Sequence, residues 1–179
     1  MKKILLIDKD MVIANFEERI RTMWSLIFPK KPELEIKNRK HFYFYEEYPN
    51  YKEEIKSILN DPIFYYGMNP IEGAIQGIEE LQRHDISIYI CTSPMQTPHC
   101  HSAKWCWVAA HLGKELARTM IITKDKTLVH GDFLLDDRPK ITGALNPKWK
   151  HIIYKQNYNK HCKKPLFSWD MGIEKLLEM

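Results

Sequence analysis

Asp8 and Asp10 stand one residue apart at the end of the apolar run Ile4-Leu5-Leu6-Ile7. A short aliphatic run reads as a buried parallel strand, so both carboxylates fall at its C-terminal tip, where open α/β sheets place ligands. Carboxylates so placed can hold a divalent metal. An acidic residue after a strand also serves as a turn or helix cap, and the rest of the chain weighs between these uses. The apolar run Ile86 to Cys91 leads into Thr92-Ser93-Pro94, and Phe133-Leu134-Leu135 leads into Asp136-Asp137-Arg138-Pro139. Three expected strand tips thus carry carboxylates or hydroxyls. His99-Cys100-His101 with Cys106 is the other group of metal-ligating types, but it lacks a second ligand pair at zinc-finger spacing and reads as a loop.

The elements that must position these residues follow from hydrophobic periodicity. Strands are expected at 4–7, 86–91, 120–122, 133–135 and 151–154. Helices are expected over Phe16 to Ile27, Tyr51 to Leu59, Ile71 to Leu81 and Ala103 to Leu112, with a last one from about Met171. Strands alternating with helices imply an α/β fold with a doubly wound parallel sheet. Residues 15–70 hold no second convincing strand, only helix-compatible stretches and two aromatic clusters. They read as a small helical cap domain inserted after the first strand, with 1–14 and 71–179 forming the core domain.

Length and composition bound the answer. A chain of 179 residues with 44% hydrophobic and 12% aromatic residues can bury one sizeable core and a small appended domain. Met1-Lys2-Lys3 imitates the start of a signal peptide, but Asp8, Lys9 and Asp10 cut the apolar region short. No run approaches the ~18 apolar residues of a membrane span. A soluble cytoplasmic protein without membrane contact is expected. Cys91, Cys100, Cys106 and Cys162 show no paired spacing and are expected to be reduced thiols. The net charge of +4 is densest from Lys155 to Lys164, which reads as a solvated face rather than a nucleic-acid contact. A two-fold homodimer is the base-rate expectation for assembly.

Together ILLIDKDMV (4–12), YICTSP (89–94), Lys104 and FLLDDRP (133–139) resemble the four ordered motifs of the haloacid dehalogenase superfamily of phosphotransferases. More narrowly, ICTSP, the helix Lys104-Trp105-Cys106-Trp107-Val108, ITKDKTLV (122–129) and LLDDRPKITGA (134–144) resemble the 5'(3')-deoxyribonucleotidases. The resemblance implies a Rossmannoid sheet with a cap, and Mg²⁺-dependent hydrolysis of deoxyribonucleoside monophosphates, pyrimidine ones such as dUMP and dTMP foremost. A phosphate monoester is a dianion, so a carboxylate nucleophile can approach it only when metal and lysine neutralise the repulsion.

In that scheme Asp8 is the nucleophile that forms an aspartyl-phosphate, and Asp10 is the general acid and base. Asp8, the carbonyl of Asp10 and Asp137 are the implied Mg²⁺ ligands; the choice of Asp137 over Asp136 rests on the resemblance alone. Thr92 and Lys104 would clamp the transferring phosphate. Phe16, Phe42, Tyr43 and Tyr65 would form the base pocket, with the backbone from Ser93 reading the base edge. Lys126 and Arg138 are candidates for substrate or carboxylate contacts. Against close relatives, Met11 replaces Gly, Asn15 replaces Asp, Gln96 replaces Lys and Tyr43 replaces Trp. Alternatives are a phosphatase for another small phosphomonoester or a nucleic-acid 3'-phosphate, or a nucleotide-binding module without turnover.

Overall fold

The computed structural model describes residues 2–179. β1 (Lys3–Ile7) is followed by a turn and by α1 (Phe16–Ile27). Asn15 caps α1, its Oδ1 accepting the Glu18 N–H at 3.1 Å, with Glu17 and Glu18 in the first turn. Asn caps as well as Asp, so this substitution costs the helix nothing. Ile20, Met23 and Trp24 form the buried stripe of α1. Then come α2 (Phe44–Glu47), α3 (Lys52–Asn60) with Ile55, Ile58 and Leu59 turned inward, and α4 (Pro62–Tyr66). No periodicity announces α4, which starts on Pro62 behind an Asp61 cap and is only five residues long.

The remainder alternates helix and strand: α5 (Ala74–Leu81), β2 (Ile86–Thr92), α6 (Pro98–Leu112), α7 (Lys114–Arg118), β3 (Ile121–Ile122), β4 (Phe133–Asp136), β5 (Lys150–Tyr154), β6 (Leu166–Phe167) and α8 (Ile173–Leu177). The helix expected from Ile71 begins at Ala74, because Gly73 turns the chain at φ +76°. The one expected from Ala103 begins five residues earlier, where Pro98 occupies a first-turn position that needs no N–H donor.

All six strands are parallel, in the order β3-β2-β1-β4-β5-β6. Winding reverses beside β1, and the crevice at that reversal is where such sheets bind ligands. The two faces differ. Leu5, Ile7, Ile88, Ile90, Leu135, Ile152 and Tyr154 join the main core with residues of α1, α5, α6 and α8. Leu6, Cys91, Leu134 and Trp149 point the other way into a small cluster that Val129 and Ile141 help to cover. The connections bearing Val129 and Ile141 hold one 3₁₀ turn, Lys126–Leu128, and otherwise irregular chain.

Candidate active site

Strand register assembles the site. Ile7 is level with Ile90 of β2 and Leu135 of β4, and the Asp8 N–H donates to the Leu135 carbonyl at 2.9 Å. One residue further along, Asp8 therefore meets Asp136 and Asp137, and Thr92 ends β2 on the other side. Asp8, Asp136 and Asp137 are all buried, and each offers an oxygen within 4.8 Å of the others.

Lys126 lies among these carboxylates, 2.7 Å from Asp8 Oδ1 and 2.5 Å from Asp136 Oδ2. Only the contact with Asp136 is aligned as a hydrogen bond, which leaves Asp8 Oδ1 buried without one. Asp136 is fully engaged, since its Oδ1 accepts the Arg138 N–H at 2.8 Å. Asp137 Oδ2 accepts the Tyr158 hydroxyl, and the Asp137 carbonyl accepts the Asn159 amide at 2.7 Å. Burial, helped by the Asp136 charge, pushes the Asp8 and Asp137 carboxyls above their ordinary range, although Lys126 pulls Asp8 down. The same carboxylates hold Lys126 protonated against its burial. Three crowded acid groups around one ammonium suit a further cation, and hard oxygen donors suit Mg²⁺ in particular.

Asp10 is clamped from both sides. Lys104 Nζ donates to its Oδ2 at 2.6 Å, and Lys9 Nζ to its Oδ1 at 3.0 Å. Burial alone would raise the Asp10 pKa, but Lys104 and Lys9 outweigh it and hold the carboxyl well below the usual range. Lys104 reaches the site because it lies on the buried stripe of α6 with Cys100, Ala103, Trp107 and Val108. Its remaining bonds run to Thr92 Oγ1 at 2.9 Å and the Ser93 carbonyl at 2.6 Å. Met11, the residue after Asp10, adopts φ +63° and so keeps the left-handed turn that glycine would favour. The Met11 and Val12 carbonyls are held by Gln156 at 2.8 Å and by the Trp169 indole at 2.7 Å.

The structure thus brings Asp8, Asp10, Thr92, Ser93, Lys104, Lys126 and Asp137 together. Lys126 is 4% exposed and spent on carboxylates, so it is placed to neutralise them rather than to reach substrate. Phe42 and Tyr43 meet edge-on at 4.9 Å, with the Arg138 guanidinium 5.6 and 5.9 Å from their ring centroids. Phe16 packs at 4.9 Å against Phe64 and at 5.9 Å against Phe44. Tyr65 is 1% exposed, packs at 4.9 Å on the same Phe64 ring as Phe16, and has Lys104 Nζ 5.7 Å from its ring centroid.

Four residues were not singled out from sequence. Lys9 is fully buried, 4.5 Å over the Trp107 ring and 3.8 Å from Met68 Sδ. Arg39, also buried, pairs with Glu17 at 2.7 Å, donates to the His41 and Phe42 carbonyls, and lies 4.0 Å over the Tyr158 ring. Tyr158 and Asn159 then tie this loop to Asp137. Only Lys9, between two aspartates, gave any local signal.

A six-stranded parallel sheet with an Asp-x-Asp at the tip of its central strand, a Thr-Ser after the second, a lysine from the next helix and an Asp-Asp at the end of the fourth is the arrangement that the resemblance to the haloacid dehalogenase superfamily implies. The fold is shared with a Thermotoga maritima crystal structure provisionally described as a β-phosphoglucomutase, at TM-score 0.53 and 12% identity over 99% of both chains. Residues 2–176 match the family model described as 5' nucleotidase, deoxy (pyrimidine), cytosolic type C protein, and the chain belongs to that family of phosphoric monoester hydrolases. It is 32% identical over 186 residues to the human cytosolic-type 5'(3')-deoxyribonucleotidase, covering 97% of this chain and 92% of that one. A Bordetella bronchiseptica protein provisionally named a 5'(3')-deoxyribonucleotidase is 40% identical over 169 residues, 93% of this chain and 91% of that one. No helix among the described residues is long and apolar enough to cross a membrane.

Proposed function

We propose that this protein is a Mg²⁺-dependent, cytoplasmic 5'(3')-deoxyribonucleotidase that hydrolyses deoxyribonucleoside monophosphates, deoxypyrimidine nucleotides foremost, to nucleoside and phosphate. The observation that carries the reading is the pairing of two unlike carboxylates on one strand tip. Asp8 lies among acid groups and Lys126, whereas Asp10 lies between two lysines, one of which also holds Thr92. In the free site Asp8 is the carboxyl held up and Asp10 the one held down, so a cation bound at Asp8 and a phosphate drawn to Lys104 must reverse that order for Asp8 to attack and Asp10 to donate.

Asp8 attacks phosphorus, giving an aspartyl-phosphate as the nucleoside oxygen leaves. Lys104 and Thr92 hold the transferring phosphate. Competition from that phosphate for Lys104 frees an Asp10 oxygen and raises its proton affinity, so Asp10 can take up a proton from solvent, give it to the departing sugar oxygen and later take one from the attacking water. Asp8, the Asp10 carbonyl and Asp137 would hold Mg²⁺, and the double engagement of Asp136 by Lys126 and Arg138 favours Asp137 as the direct ligand. When bound, the ion offsets the charge of nucleophile and phosphate. Residues 15–70 act as the cap, with Phe42 and Tyr43 facing the base beside Arg138 of the core, and Phe16 packed on Phe44 and Phe64.

Phosphate release from a panel of deoxy- and ribonucleoside monophosphates, with and without Mg²⁺, tests this in the wild type and Asp8→Asn. Mg²⁺-dependent release is expected, fastest on dUMP and dTMP, and at least about 10³-fold slower in the variant. Nucleotide binding without release from any member would leave a binding module in place of the enzyme.

A further inference from the structure

The loop at 37–40 faces the loop at 157–161 across a cavity of about 640 Å³, within the size range of small-molecule sites. Lys37, Arg39 and Lys40 stand on one wall and Asn157, Tyr158 and Lys160 on the other, with His161 beside them. No acidic residue lines it. Arg39 is spent on Glu17 and two carbonyls, which fixes its wall. Lys37, Lys40 and Lys160 make no ion pair among the described residues. Like charges converging on a concave surface repel one another and raise the local potential, and a bound anion relieves both.

We infer that this cavity is a second, non-catalytic anion site that takes a small oligophosphate, of the kind carried by a nucleoside di- or triphosphate. Three compact lysine charges match several phosphate groups better than a single carboxylate. The side-chain amides of Asn38 and Asn157, which also line the cavity, can donate to the phosphate oxygens. The lysine stretch that reads as a solvated face in the sequence is thereby one wall of a site, and its opposite wall comes from a loop more than a hundred residues earlier.

Calorimetric titration in metal-free buffer, with inorganic tripolyphosphate and with dTTP, tests the assignment on the wild type and on Lys37→Gln/Lys160→Gln. One equivalent should bind the wild type, and the double variant should bind at least about tenfold more weakly, or about 1.4 kcal/mol. Its melting midpoint and dUMP hydrolysis should match the wild type, since neither lysine touches the catalytic groups. Lys40→Gln gives an independent second variant and should weaken binding in the same direction. Absence of binding, or equal affinity in all three proteins, would overturn the site. A twelve-nucleotide single-stranded DNA that binds more tightly than tripolyphosphate and loses affinity in the same variants would overturn the small-molecule assignment in favour of a nucleic-acid strand.

Discussion

Lys9 is the least expected participant in this site, an ammonium with no exposure placed between two aspartates and roofed by Trp107 and Met68. Burial lowers its pKa, and the attraction of Asp10 and Asp8 does not make up the difference. That balance already includes the repulsion from Lys104, so the folded state holds Lys9 charged at a net cost. Lys9→Met should therefore raise stability by about 1–2 kcal/mol, because Asp10 keeps Lys104 and the thioether packs beside Met68. Urea denaturation at neutral pH checks this, and a lower midpoint in the variant would mean that the Lys9–Asp10 pair stabilises the fold after all. Asp8, Asp10, Thr92, Asp136 and Asp137 were legible in the sequence because each ends an apolar run. The burial of Lys9 was not, since a lysine flanked by aspartates reads as solvated until Trp107 arrives from a helix ninety-odd residues away. Arg39 and Tyr158 are invisible for the same reason: the partners that define them, Glu17 and Asp137, are 22 and 21 residues distant.

At the scale of elements, the site depends on helices that never touch it. α5 approaches Trp169 so closely that a Cβ on Gly77 would lie 2.6 and 2.8 Å from Trp169 Cε3 and Cζ3. The same indole holds the Val12 carbonyl in the turn that carries Asp10. Gly77→Ala gains helix propensity worth up to ~1 kcal/mol, but it forces the ring away from a packed position. The expected net result is a loss of about 1–3 kcal/mol, with kcat reduced and KM little changed, as the turn behind Asp10 loosens. Thermal unfolding and steady-state kinetics on dUMP read both effects; a midpoint at or above the wild-type value would show that Trp169 yields without cost. The elements legible in the sequence were β1 to β5, α1, α3, α5, α6 and α8, the short β3 and α8 because each carries apolar residues at the place the alternation of strand and helix demands one. β6 has two residues and α4 and α7 five each, so tertiary contacts define them, as when Lys155 N–H reaches the Phe167 carbonyl at 2.8 Å to fix β6. The first turn of α6 was hidden because Pro98 looks like a breaker from outside a helix and a starter from within.

Over the whole molecule, the sheet carries its helices mainly on one face, and the thinner face leaves polar groups in difficulty. His151 on β5 points to that side beside Trp149, and neither His151 Nε2 nor Trp149 Nε1 finds a partner. His151 Nδ1 faces the Lys164 ammonium at 2.8 Å, so it accepts and the ring is held neutral. Burial first, then the Lys164 charge, pushes the His151 pKa down to about 4, against the pull of Asp136. The unfolded chain binds the proton near the ordinary value of 6.5, so between about 4 and 6.5 it holds more protons than the folded one. Stability linked to His151 is thus fully present above about pH 6.5 and is lost as pH falls through about 4. Asp8 and Asp137, whose proton affinities are raised, act in the opposite sense, but they are common to wild type and variant and cancel on subtraction. His151→Gln should therefore lose less unfolding free energy than the wild type between pH 7 and pH 4.5. Denaturant titrations at both pH values, with the His151 ring followed by NMR, measure the difference; parallel pH–stability curves would mean that the thin face hydrates and leaves the imidazole with its solution proton affinity.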